Sequence, residues 1–309
     1  MANSDRPTHE THSIAVGTLS CGQPADVVVH RLVGAQPGPT LGLIGGLHGD
    51  EPFSVELVRR VLDALEELPL RGTVTAVPCA NPLAFLSLTR NTPVDMLDLN
   101  RVFPGDPDGM FSHQLAHVIY GVFVEECEFF IDFHSGGIFP TVDYVFAQRD
   151  EDFARSIGSK IVYSGKPHAG SVSDCLGQAG LHTTVVEVGG GPVDEALYVQ
   201  RAVAGVRNTL HAIGMLTGPG ESRDDQVLVH ELRILRPHHG GLLISNLCSR
   251  DLGEVVVEGH ELGRILHAQT LQELEVLKAP FGRSILILAR AGSSPIGIGD
   301  FAYIVGDAA

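Results

Sequence analysis

Residues 40–52 read TLGLIGGLHGDEP, and their reading decides the fold class. The run at 40–45 is β-rich, Gly45-Gly46 break it, and a helix opens at Glu51. From Glu51 to Leu68, Val55, Val58, Leu62 and Leu65 recur on one helical face, and Pro69 stops the helix. A strand that passes directly into a covering helix is the unit of an α/β sheet. His48 falls in the connecting turn and Glu51 at the helix start. Residues three apart across a turn can point the same way, and ligands of open α/β sheets bind beyond the carboxyl ends of the strands. Metal binding by His48 and Glu51 fits this segment. So does a plain capped helix, since Asp50 and Glu51 suit the positive end of the helix dipole.

Outward from this unit the same alternation continues. Residues 25–32 and 72–78 read as strands, and 88–110 as a loop rich in Pro, Asp, Asn and Gly. A helix is expected from Ser112 to about Cys127, then a buried strand, FFIDF, at 129–133. Strands near 142–147, 160–164 and 183–188 alternate with helices near 151–158, 173–179 and 194–214. This predicts an α/β fold: a mixed, mostly parallel sheet with helices on both faces, spanning residues 13–220 after a disordered tail at 1–12. From 225 to 309 the chain turns to short β-like runs broken by glycine, which predicts a small all-β domain.

Composition excludes several function classes. The net charge of −16 repels phosphate backbones and anionic membranes, and with Trp absent and aromatics at 6% there is little to stack on bases. Nucleic acid and membrane partners are therefore not expected. The five cysteines are odd in number, scattered and without a CxxC pair, as in a reducing compartment. The polar N-terminus has no signal-peptide core, and no apolar run approaches the roughly 20 residues of a membrane span. A cytoplasmic protein is expected, with homo-oligomerisation left open.

Three further segments carry chemistry. FFIDFHSGG, 129–137, delivers His134 just past a strand end, on the same rim as His48 if the strands are parallel. Two histidines, one carboxylate and a water make a catalytic zinc site with one open position. Asp132 could orient a ligand. A locally bonded strand-end histidine is the plain alternative. TTVVEVGGG, 183–191, places Glu187 in an apolar strand, where a carboxylate is costly unless paired, exposed or functional. A general base needs such a position, although a solvent-facing glutamate also fits. SLTRNTPVDMLDLNRVFPGDPDG, 87–109, holds Arg90, Asn100 and Arg101 in a loop. Arginine can grip a carboxylate with two hydrogen bonds or polarise a carbonyl, but arginines are also ordinary in surface loops. His113 and His117 could share a helix face, yet they lack a third ligand and an HExxH pattern. No G-x-S-x-G, P-loop or G-x-G-x-x-G motif is present.

In order, H-G-D-E, N-P with a following T-R, D-L-N-R-V-F, D-F-H and E-V-G resemble the succinylglutamate desuccinylase and aspartoacylase family of the zinc-carboxypeptidase-like class. The likeness covers roughly residues 40–215. NRVFPGDPDG and DFHSGG look closest to bacterial members of the N-alpha-acetyl-diaminobutyrate deacetylase type. The resemblance implies one Zn2+ per chain on His48, Glu51 and His134. It implies Glu187 as the base, Arg90 at the oxyanion, and Asn100 and Arg101 on the substrate carboxylate. The implied reaction removes an acetyl or succinyl group from a small N-acyl amino acid. Where aspartoacylase has an arginine about ten residues before the base, this chain has GSVSDCLGQAG, with Asp174. Asp174 is compatible with a cationic substrate side chain, whereas Lys166 or His168 nearby could reverse that preference. A peptide-cleaving zinc carboxypeptidase and a non-catalytic metal-binding module are the rivals, and Glu187 argues against the second.

Overall fold

The computed structural model of the protein describes residues 6–193, 195–221 and 223–308. Through residue 220 it contains strands β1 (Thr8–Thr18), β2 (Pro24–Val33), β3 (Gln36–Ile44), β4 (Arg71–Val77), β5 (Phe129–His134), β6 (Pro140–Phe146), β7 (Ile161–Tyr163) and β8 (His182–Gly189). The helices are α1 (Pro52–Leu65), α2 (Pro82–Ser87), α3 (Phe111–Glu126), α4 (Glu151–Ser156), α5 (Val172–Gln178) and α6 (Glu195–Ala212). The strand–helix alternation follows the sequence reading closely. The tail does not: Thr8 to His12 belong to β1, whose backbone pairs with β2. Its exposed polar side chains hide a strand held by backbone bonds rather than by burial. Residues 1–5 of the expected tail lie outside the described residues.

The centre of the large sheet is parallel, in the order β4-β3-β5-β8. On either side the pairing turns antiparallel, through β2 and β1 at one edge and β6 at the other. Both faces are covered. Leu43, Ile131, Phe133, Val186 and Val188 pack with α1, α4 and α6. Ile44 and Phe130 pack with α3 and α5 on the opposite face. Double burial is why these strands read as apolar runs instead of alternating ones. It also fixes the rim, because β3, β5 and β8 all end at the same edge.

After residue 225 come β9 (Val227–Val229), β10 (Leu232–Leu235), β11 (Gly241–Ser245), β12 (Val255–Val257), β13 (Glu261–Leu266), β14 (Glu273–Lys278), β15 (Arg283–Arg290), β16 (Ser293–Ile296) and β17 (Tyr303–Asp307). Four of them form a separate antiparallel sheet, β14-β13-β11-β16. The others join the large sheet: β15 pairs with β6 through Leu288 and Val142, and β17 and β10 follow. The C-terminal segment is thus all β but continuous with the first sheet.

Candidate metal centre

The three rim residues meet. His48 lies between β3 and α1, Glu51 immediately precedes α1, and His134 ends β5. The turn is held by Ser54, whose hydroxyl donates to the Glu51 carbonyl and accepts from the Gly46 amide. Gly49 has no alternative, since a Cβ there would stand 1.9 Å from the Ala84 carbonyl of α2. Glu51 occupies the N-cap position without capping: Pro52 follows, and the carboxylate turns away to the histidines. His48 Nδ1 is 2.8 Å from one Glu51 oxygen, and His134 Nδ1 is 2.9 Å from the other. The Ser135 amide also donates to Glu51.

The outer nitrogens are anchored. His48 Nε2 donates to Asp98 Oδ1 at 3.1 Å, and His134 Nε2 lies 3.2 Å from both Asp132 and Asn100. A carboxylate on the outer imidazole nitrogen fixes the tautomer and leaves Nδ1 free to bind a metal. Burial disfavours charge on these imidazoles, but Glu51 and Asp98 outweigh it at His48 and hold it above the usual range. His134 is raised well above it, where burial is overcome by Asp132 and Glu51. Burial likewise opposes ionisation of Glu51, yet the two histidines hold it well below the carboxylate range. The cluster therefore pairs opposite charges, each histidine favoured as a cation and Glu51 as an anion.

The donor set fits a divalent cation. One donor atom from each of His48, Glu51 and His134 lies within 4.8 Å of the others, and all three residues are buried. Asp132 supports the fit: it is fully buried, and neither carboxylate oxygen completes a hydrogen bond with good geometry.

Glu187 stands directly beside this cluster. It is the register partner of His134 across the parallel β5–β8 pair, so the two side chains share a face. Burial pushes its carboxyl up to about 7, with the His134 charge opposing and those of Glu51 and Asp132 adding to the rise. Arg90 reaches in from the loop. Its guanidinium is 3.1 Å from Asp98 and 3.5 Å from Glu51, and it remains half exposed. Asn100 accepts from the Val172 amide through Oδ1, and Arg101 donates to the Asn100 carbonyl. Arg90 and Asn100 are thus brought to the centre, and Arg101 to its side.

Asp174 is placed differently. It is buried, with one oxygen held by Arg149 at 2.9 Å and the other by Gln178 at 2.8 Å. Its charge already has a partner, so it offers little to a substrate. Asp98 was missed among the candidate residues. The signal lay in the DLNR stretch, but nothing local showed that an aspartate 50 positions from His48 would reach its ring.

Comparison with known proteins places the chain. Residues 37–213 match the model of the succinylglutamate desuccinylase/aspartoacylase catalytic domain. The N-alpha-acetyl-L-2,4-diaminobutyric acid deacetylase of Halomonas elongata is 26% identical over 288 residues, covering 87% of this chain and 82% of that protein. A succinylglutamate desuccinylase from Silicibacter sp. TM1040 superposes with a TM-score of 0.81 at 25% identity, over 100% of this chain and 97% of the other. The product-bound ectoine utilization protein EutE (DoeB) of Ruegeria pomeroyi gives 0.82 at 23% identity over 98% and 96%. The chain belongs to the succinylglutamate desuccinylase/aspartoacylase catalytic-domain family.

Proposed function

We propose that the protein is a zinc-dependent deacylase that hydrolyses the amide bond of a small N-acyl amino acid, with an acetyl or succinyl group released as the carboxylate. The carrying observation is the division of labour between two carboxylates on one rim. Glu51 is held by both Nδ1 atoms, while Glu187 stands next to them with a carboxyl raised to about 7. His48, Glu51 and His134 would hold the ion, two histidines and one carboxylate being a common catalytic zinc set. Bound there, zinc would acidify a water and polarise a carbonyl.

Glu187 takes a proton from the attacking water and returns it to the leaving nitrogen, a role suited to a group titrating near neutrality. The water oxygen bonds to the acyl carbon, the C–N bond breaks, and a carboxylate and an amine leave. Arg90 is held by Asp98 through Nε and Nη2 and presents Nη1 toward the cluster, where it can stabilise the oxyanion. Asn100 lies against His134, Arg101 donates to the Asn100 carbonyl beside it, and the two would receive the substrate carboxylate. The names of the family and of its relatives support amide hydrolysis on amino acids. A cytoplasmic location accords with the cysteine usage, and no described helix is long and apolar enough to cross a membrane.

The test is release of free amine from a panel of N-acetyl and N-succinyl amino acids by the zinc-loaded protein, with dipeptides alongside. Turnover of N-acyl amino acids well above dipeptides is expected. Faster dipeptide cleavage, or no turnover of any member, would overturn the reading.

A further inference from the structure

Behind the strand that carries Glu187 lies a cavity in which the proposed reaction has no part. Successive side chains of a strand point to opposite faces. In the antiparallel β8–β6 pair, Tyr144 lies opposite Glu187, whereas Asp143 lies opposite Val188 and Val145 opposite Val186. Glu187 and Tyr144 therefore face one way, and the two valines of β8 face the other way with Asp143 and Val145, toward α6. On that side the sheet, α6, the chain from Ile157 to Ile161 and Leu252-Gly253 surround a cavity of about 450 Å³. Small-molecule sites commonly occupy roughly 300–1,000 Å³, with apolar walls and a few placed polar groups.

This cavity has that division. Val145, Ile157, Val186, Val188 and Ala202 make an apolar wall. The polar end is an ion pair: Arg201 Nη1 donates to Asp143 Oδ2. Among the described residues Arg201 is the one hydrogen-bond partner of Asp143, and its Nε and Nη2 have no partner of their own. The Asp143 side chain keeps 20% of its exposure, so its second oxygen can be reached from the cavity. Arg223, at the mouth, has no such reserve. Its Nε and Nη2 donate to Asp225, and its Nη1 donates to the Gly158 carbonyl. Burial pushes the Asp143 carboxyl up against the charges of Arg201 and Arg223, so a further cation at its second oxygen would be favourable.

We propose that this cavity is a second ligand site, and that it takes a free α-amino acid with an aliphatic side chain, the ammonium on Asp143 and the carboxylate on Arg201. The zwitterion of an α-amino acid carries its two charges on groups attached to one carbon. That matches an aspartate and an arginine already in contact, with Nε and Nη2 placed to grip a carboxylate by two hydrogen bonds. An aliphatic side chain would then lie against the valines, where burying it is favourable. A ligand with a single charge leaves half of the pair unmatched. The site is distinct from the metal centre, because it opens on the opposite face of β8. Its occupant would bear on Val186 and Val188, the chain neighbours of Glu187.

The experiment titrates L-leucine, isocaproate and isoamylamine into the full-length zinc-loaded protein by isothermal calorimetry, in the wild type, Arg201→Leu and Asp143→Asn. Leucine is the probe, and the other two are leucine without its amine and without its carboxylate. Leucine is expected to bind the wild type. Each truncated probe, and leucine on each variant, is expected to bind about tenfold or more weakly, the scale of losing a hydrogen bond to a charged group. Arg201 is half exposed, so its replacement spares the core, and circular dichroism checks that both variants stay folded. Absence of leucine binding would overturn the proposal. So would a truncated probe that binds as tightly as leucine. A leucine affinity unchanged in either folded variant would also overturn it, by placing the amino acid elsewhere, as at the metal centre. Binding is read without turnover, so these outcomes do not depend on the deacylase reading.

Discussion

Glu51 and Glu187 are a strand apart on one rim, and the sheet treats them oppositely. Glu51, on the turn between β3 and α1, is shared by two imidazoles and driven well below the carboxylate range. Glu187, at the end of β8, is raised to about 7 by burial. On the proposed reading, the fold would make ligand and base from the same side chain by what it sets beside each. Partners that favour charge make a ligand, and burial next to other carboxylates makes a proton carrier.

The strongest way to break this contrast is Glu51→Gln. It removes the charge that both histidines face. Bound zinc measured by mass spectrometry is expected to fall from one per chain toward none. kcat/KM is expected to drop by at least about a thousandfold, the scale of losing several kcal/mol of transition-state stabilisation. Glu187→Gln separates the two roles. Zinc content is expected to stay at one per chain while kcat falls by about 10²–10⁴, the range for a general acid–base. Loss of zinc in this variant would show that the two carboxylates are not divided as described.

Asp98→Asn sharpens the contrast from the other side. It leaves the ligands in place but weakens the hold on His48 Nε2, so zinc affinity measured by competition with a chelator is expected to fall about 10- to 100-fold. The smallest effect belongs to ions in water. Arg59 bridges Glu56 and Asp63 on the exposed face of α1, and Arg59→Ala is expected to leave Tm, zinc content and activity without resolvable change.

Much of this rim was legible in the sequence, for local reasons. Apolar runs announced β3 and β5; His134 is the last residue of β5, and His48 and Glu51 lie four and seven residues beyond the end of β3. The three-residue spacing of His48 and Glu51 is a property of one turn. What stayed hidden depends on chain segments distant in sequence. Asp98 reaches His48 only after the loop folds back, and β15 joins β6 across some 140 residues of chain. Tyr144 gains its place from an antiparallel register that no local pattern encodes. β1 was masked by its exposed, polar residues, and α2 by its brevity. Asp174 shows the converse, since its acidity was visible but its partner Arg149, 25 residues earlier, was not.

The most direct test is anomalous diffraction at the zinc edge from crystals of the zinc-loaded protein. The expected result is one strong peak about 2.0–2.2 Å from His48 Nδ1, His134 Nδ1 and a Glu51 oxygen, with the Glu187 carboxylate outside bonding distance. A peak bound through either Nε2, a peak with Glu187 as a ligand, or no peak at this rim would contradict the account.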